Sequence, residues 1–127
     1  MSSSRELPDP DLLRKFRQAV HAKLTRDVET EQAESEVRRG QVLALLVPAI
    51  AEARDLGLSG RTWLFGSFAW GKPTQESDID LAVEDCPDPF AVASLVGRRC
   101  RRDVHAVAVE DLPEGLERRV LEEGKEL

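Results

Sequence analysis

Asp78 and Asp80 stand one residue apart in the run Ser77-Asp78-Ile79-Asp80-Leu81-Ala82-Val83. In an extended chain alternate side chains share a face, so Ile79, Leu81 and Val83 would be buried on one side and both carboxylates presented on the other. Two hard oxygen ligands side by side suit Mg²⁺, which takes one or two carboxylates and completes its shell with phosphate oxygens and water. Upstream, separated from Asp78 by Phe68 to Ser77, lies Gly66-Ser67. Gly66 lets backbone and ligand approach closely, and Ser67 offers a hydroxyl where a helical turn would begin and free N–H groups attract anions. Carboxylates for a cation and a turn for a phosphate together outline a metal and phosphate site. A two-metal site, with ions roughly 3.5–4 Å apart, needs a further bridging acid. Asp103, at the head of the next apolar alternation, is the candidate. The plainer alternatives are a solvated strand face for the aspartate pair, an ion pair with Arg101 or Arg102 for Asp103, and a helix cap for Ser67. His105 could support the metal ligands from behind or shuttle a proton, but is expected to be an ordinary packed or exposed side chain.

The elements that must position these groups follow from periodicity. Met1 to Leu7 is expected to be a frayed terminus. Asp9-Pro10-Asp11 reads as a helix start, and Leu12, Phe16, Val20 and Leu24 recur every four residues along one stripe of a helix ending near Asp27. Glu29 to Arg39 is strongly charged and reads either as a linker or as the first turns of a second helix. From Val42, the spacing of Leu45, Leu46, Ala49, Ile50 and Ala53 predicts a buried helix face, with a kink or restart at Pro48. Arg61 to Phe65 predicts a first strand, Asp78 to Val83 a second and Asp103 to Val109 a third. A helix with Phe90, Val92, Ala93, Leu95 and Val96, stopping near Gly97, is predicted between the last two. Pro113 opens a final helix whose Leu116, Val120 and Leu121 would pack inward and which Gly124 ends. The order is helix, helix, strand, loop, strand, helix, strand, helix. It predicts an α/β (α+β) domain with a small mixed sheet packed against helices.

Composition narrows the function classes. The 127 residues allow one domain with a real core and perhaps one appended element. Eighteen Lys and Arg against 24 Asp and Glu give a net charge of −6, which argues against broad nucleic-acid binding, because that draws its energy from cations displacing counterions. No apolar run approaches the ~20 residues of a membrane span, and the N-terminus lacks the apolar core of a signal peptide, so a cytoplasmic location is expected. Two cysteines, Cys86 and Cys100, are too few for a disulfide framework and are expected to be reduced.

The wording Leu64-Phe65-Gly66-Ser67, then Gly71, then Ser77-Asp78-Ile79-Asp80-Leu81 resembles the nucleotidyltransferase superfamily typified by DNA polymerase beta, and within it the minimal nucleotidyltransferase (MNT) group. The resemblance runs from about Val42 to Gly124. It implies a division into an N-terminal helical extension, residues 1–40, and a nucleotidyltransferase domain, residues 41–127. It also implies transfer of a nucleoside monophosphate, AMP from ATP, to an acceptor hydroxyl with release of pyrophosphate. Asp78, Asp80 and Asp103 would hold two Mg²⁺ ions, with Asp103 also helping to activate the acceptor. Gly66, Ser67 and Ser77 would contact the nucleotide. Members commonly read Gly-Ser-x-Ala-Arg-Gly where this chain reads Gly66-Ser67-Phe68-Ala69-Trp70-Gly71, so a basic triphosphate contact is absent there and Lys72 is the nearby substitute.

Proteins of the MNT group often act as the antitoxin half of HEPN/MNT toxin–antitoxin pairs, with a tyrosine of the HEPN toxin as acceptor. This chain contains no tyrosine, so such an acceptor must come from a partner. The helix from Asp11 to Arg26 is then a candidate partner-binding element. Two alternatives are an antitoxin that neutralises by binding alone and a small-molecule, antibiotic-modifying nucleotidyltransferase. The arginines Arg98, Arg99, Arg101 and Arg102 read as a solvated helix end, with an acceptor or RNA contact as the alternative.

Overall fold

The structure, a computed structural model, describes residues 9–127, so the frayed terminus expected at Met1 to Leu7 lies outside it. Ser35–Leu127 forms one compact unit and the residues up to Glu34 form another. One helix, α1 (Pro10–Asp55), supplies chain to both. The predicted stop near Asp27 and the linker do not occur. Glu29 to Arg39 is rich in Glu, Gln, Ala and Arg, all good helix formers without β-branching, so propensity carries the helix through a stretch that has no apolar period of its own. Nor does Pro48 restart the helix, which continues through it. Leu46, Ala49 and Ile50, all buried, hold the backbone on either side of the missing donor.

In the first unit every described residue from Asp9 to Glu34 is exposed. Asp9 Oδ1 accepts from the Asp11 N–H at 3.0 Å, which caps the helix.

The second unit is built on a four-stranded mixed sheet in the order β3-β2-β1-β4. β1 (Thr62–Phe65) runs antiparallel to β2 (Ile79–Val83) and to β4 (Lys125–Glu126), while β2 runs parallel to β3 (Val104–Ala108). The short helix α2 (Ser67–Trp70) follows β1, α3 (Pro89–Cys100) crosses between β2 and β3, and α4 (Glu114–Glu123) precedes β4. Leu64, Ile79 and Leu81 pack with Val42, Leu46, Ala49 and Ile50 of α1 and Val92 and Val96 of α3. Trp63 and Ala82, from the alternate positions, pack with Val109, Leu112 and Val120, with Phe65, Trp70 and Leu116 at the margin. Burying each large apolar side chain contributes roughly 1.5–3 kcal/mol, so these two layers fix the strand register that places the aspartates.

Three expectations fail locally. Leu45 and Leu121 are 49% and 45% exposed rather than packed inward. β4 is an unpredicted strand of two residues, too short to show a period. α3 runs three residues past the Gly97 predicted to end it, because Arg101 takes the left-handed conformation (φ 52°) and supplies the cap. No described helix is long and apolar enough to cross a membrane.

Candidate active site

β1 leads directly into a single turn of helix bracketed by two glycines. Gly66 has φ 74° and ψ −149°, a combination open essentially to glycine alone, and its carbonyl accepts from the Ala69 and Trp70 N–H groups at 3.0 Å each. The Gly71 N–H closes the turn on the Ser67 carbonyl at 3.2 Å. A methyl group on Gly66 would overlap Asp80 Oδ2 and lie 3.3 Å from the Asp80 carboxyl carbon. The carboxylate therefore rests against the bare Cα, where the sequence predicts the approach of a ligand.

Register explains why. Phe65 pairs with Asp80 across β1 and β2, so Asp80 comes up beside Gly66. Across β2 and β3, Asp80 pairs with His105, and the Ile79 N–H donates to the Asp103 carbonyl at 2.9 Å. Parallel partners point to the same face, which brings the imidazole, rather than the Asp103 carboxylate, level with Asp80. His105 Nε2 lies 3.3 Å from Asp78 Oδ2. Asp80 is half-buried, and this burial pushes its carboxyl above the usual range; the neighbouring His105 opposes the shift and Asp78 adds to it.

The predicted set of Asp78, Asp80 and Asp103 is thus only partly gathered. Among the described residues no three His, Cys, Asp or Glu side chains stand close enough together to hold an ion by themselves. Asp103 is exposed, at the entrance to β3. The donor set that does converge, two carboxylates of which one seats in a glycine cradle, fits a Mg²⁺ ion whose shell is completed by substrate phosphates and water. It does not by itself supply the third carboxylate that two bridged ions require.

The loop from Gly71 to Ser77 ties the glycine turn to the aspartates, and arginines hold it by its carbonyls. Arg39 donates from Nε to the Phe68 carbonyl at 2.8 Å and from Nη2 to that of Gly71 at 2.6 Å. Arg38 Nη1 donates to the Pro73 carbonyl at 2.9 Å. Arg102 Nη1 reaches the carbonyls of Gln75 and Ser77 at 2.8 and 2.9 Å, with its guanidinium 5.2 Å from the Phe68 ring centre. Ser77, expected at the nucleotide, turns its hydroxyl into this loop and accepts from the Thr74 N–H at 2.8 Å. Lys72 is exposed.

Trp70 packs. Its ring centre is 6.2 Å from that of Phe65, and the Arg119 guanidinium of α4 lies 4.1 Å from it. A cation therefore does stand at this corner, brought by α4 and not by the turn itself. Beside Asp78 a cleft of about 830 Å³ is lined by Ser77, Phe90, Arg98, Arg101 and Asp103 among others.

Residues 60–127, which carry the glycine turn, both aspartates and all four strands, match the family model described as polymerase beta, nucleotidyltransferase. The chain belongs to this family. As a polymerase beta-type nucleotidyltransferase it has the mixed sheet and flanking helices expected, and transfer of a nucleotidyl group is its general chemistry. A solved structure described as that of a candidate minimal nucleotidyltransferase is 26% identical over 72% of this chain and 91% of its own length, with a TM-score of 0.49. Among curated proteins none matches.

His105 and the loop-holding arginines are the site residues that sequence reasoning set aside or missed. For His105 the signal was present, since it shares the alternation of Asp103, but only the register of β3 on β2 shows which of the two reaches Asp80. For Arg39, 29 residues from its partner, no local signal existed.

Proposed function

We propose that this nucleotidyltransferase transfers AMP from ATP to a tyrosine hydroxyl of a HEPN-type toxin, acting as a cytoplasmic antitoxin. The observation that carries the reading is the seating of Asp80 against the bare Cα of Gly66, which joins the carboxylates to the turn in one rigid corner. Asp78 and Asp80 hold the divalent ion. When bound, Mg²⁺ neutralises the charge of the triphosphate. The Gly66 backbone and the Ser67 hydroxyl approach the phosphates, and Arg119 supplies the positive charge that Trp70 does not. The cleft on the Asp78 side admits the acceptor. Its oxygen bonds to the α-phosphorus, the bond from that phosphorus to the bridging oxygen breaks, and pyrophosphate departs. The hydroxyl proton passes to the His105 imidazole, whose Nε2 lies 3.3 Å from Asp78 Oδ2, or to Asp103. Catalysis of this kind is mostly positioning and charge neutralisation, and it needs no covalent intermediate.

The test mixes the chain with α-labelled ATP, Mg²⁺ and the product of the adjacent reading frame, if that frame encodes a small all-helical protein with an Arg-x₄-His motif. Label should appear on a tyrosine of that protein and vanish with Asp78→Asn/Asp80→Asn. Toxin neutralisation that survives the double substitution with no label on the toxin would sink the enzymatic reading in favour of simple binding.

A further inference from the structure

Every described residue from Asp9 to Glu34 is exposed, and among them Phe16, Val20, Leu24 and Val28 are apolar, at 65, 40, 58 and 46%. Isolated helices are marginal in water and gain most of their stability by burying an apolar stripe. The flanking charges say what fits the stripe. Residues 14–26 hold Arg14, Lys15, Arg17, Lys23 and Arg26 and no acid, whereas residues 27–36 hold Asp27, Glu29, Glu31, Glu34 and Glu36 and no Lys or Arg.

We propose that this part of α1 pairs antiparallel with the same segment of a second copy of the chain, about a two-fold axis near Ala22. That axis sets Phe16 opposite Val28 and Val20 opposite Leu24 of the second copy. It also sets Lys15 on the same flank as Asp27 of the second copy and Arg17 on the same flank as Glu29, each within one helical turn. A parallel pair would stack base on base and acid on acid over both blocks, which like-charge repulsion disfavours. The four apolar positions are symmetric about residue 22, so the same axis serves the stripe and the charges, as an isologous interface requires.

Sedimentation velocity of the full chain at tens of micromolar and low salt should give twice the 14.1 kDa chain mass, with the dimer weakening at least tenfold on going to high salt. Phe16→Glu/Leu24→Glu should be monomeric while keeping the melting transition of the Ser35–Leu127 unit. Lys15→Glu/Arg17→Glu should weaken the dimer at least tenfold, and adding Asp27→Lys/Glu29→Lys should restore it. A wild-type chain that stays monomeric at 100 μM and low salt would overturn the proposal, whether it remains free, pellets with phosphatidylglycerol vesicles or pairs only with another protein. Failure of the second charge reversal to restore what the first removes would overturn the antiparallel geometry.

Discussion

Gly66→Ala perturbs the turn and the carboxylate at once, by two separable routes. The backbone at φ 74° and ψ −149° is one that a residue with a Cβ avoids, and holding alanine there costs about 1–3 kcal/mol. For a domain of this size each kcal/mol lowers Tm by roughly 4–8 °C. The added methyl also overlaps Asp80 Oδ2, so the carboxylate must retreat by about 1 Å to reach ordinary contact, a misplacement that can cost on the order of 10²-fold in rate. We therefore expect Gly66→Ala to melt about 4–24 °C lower and to lose roughly a hundredfold of nucleotidyl transfer. Differential scanning fluorimetry and Mn²⁺ binding, followed by electron paramagnetic resonance, separate the two routes. Combining Gly66→Ala with Asp80→Ala removes the overlap but not the backbone strain, so the double variant should be more stable than the two single effects added together. A Gly66→Ala protein with unchanged Tm and unchanged Mn²⁺ affinity would refute the cradle.

Two further outcomes follow from named groups. Asp80 has its folded pKa raised by burial, so its ionised form opposes folding; this cost is absent below the ordinary aspartate pKa, grows as pH rises to the raised value, and persists above it. Metal-free Asp80→Asn should accordingly melt higher than wild type at pH 7 and lose that advantage near pH 3, while its Mn²⁺ binding is abolished. In the wild type, Mn²⁺ binding should fail at a higher pH than an ordinary carboxylate would allow. Arg102→Ala removes a charged donor from the carbonyls of Gln75 and Ser77, a loss of about 1–3 kcal/mol by thermal melting; Arg102→Lys should recover only part of it, because an ammonium lacks the planar fork.

Much of the second unit could be read from the chain because its signals are local. Ile79, Leu81 and Val83 alternate with the two aspartates, and the strand lies where that alternation placed it. Gly66, Ser67 and Asp80 are specified by residue type and spacing alone, and the turn and carboxylate do meet. What local signals left undetermined depended on partners distant in sequence. Choosing between Asp103 and His105 required the register of β3, which is set by the packing of Val104 and Ala106 under α3 and not by any feature of the two residues themselves. Residues 29–39 carry helix propensity without periodicity, so a reading based on apolar spacing saw a gap where α1 is continuous. Ser77 shows a second role that its place in the pattern did not announce: its hydroxyl serves the turn that precedes Asp78.

The short strand β4 has a consequence for how the chain acquires its sheet. Trp63 and Leu64 find their outer partners only at Glu126 and Lys125, and the Leu127 N–H donates back to the Thr62 carbonyl at 2.9 Å. On a ribosome working at 5–20 residues per second, roughly 3–12 s separate the synthesis of β1 from that of its neighbour. Throughout that interval the edge of β1 offers unpaired amides beside buried-type side chains, the combination that recruits a foreign strand. The nascent chain is therefore most open to mispairing just before Lys125 and Glu126 emerge, and these two residues present a charged border once they arrive.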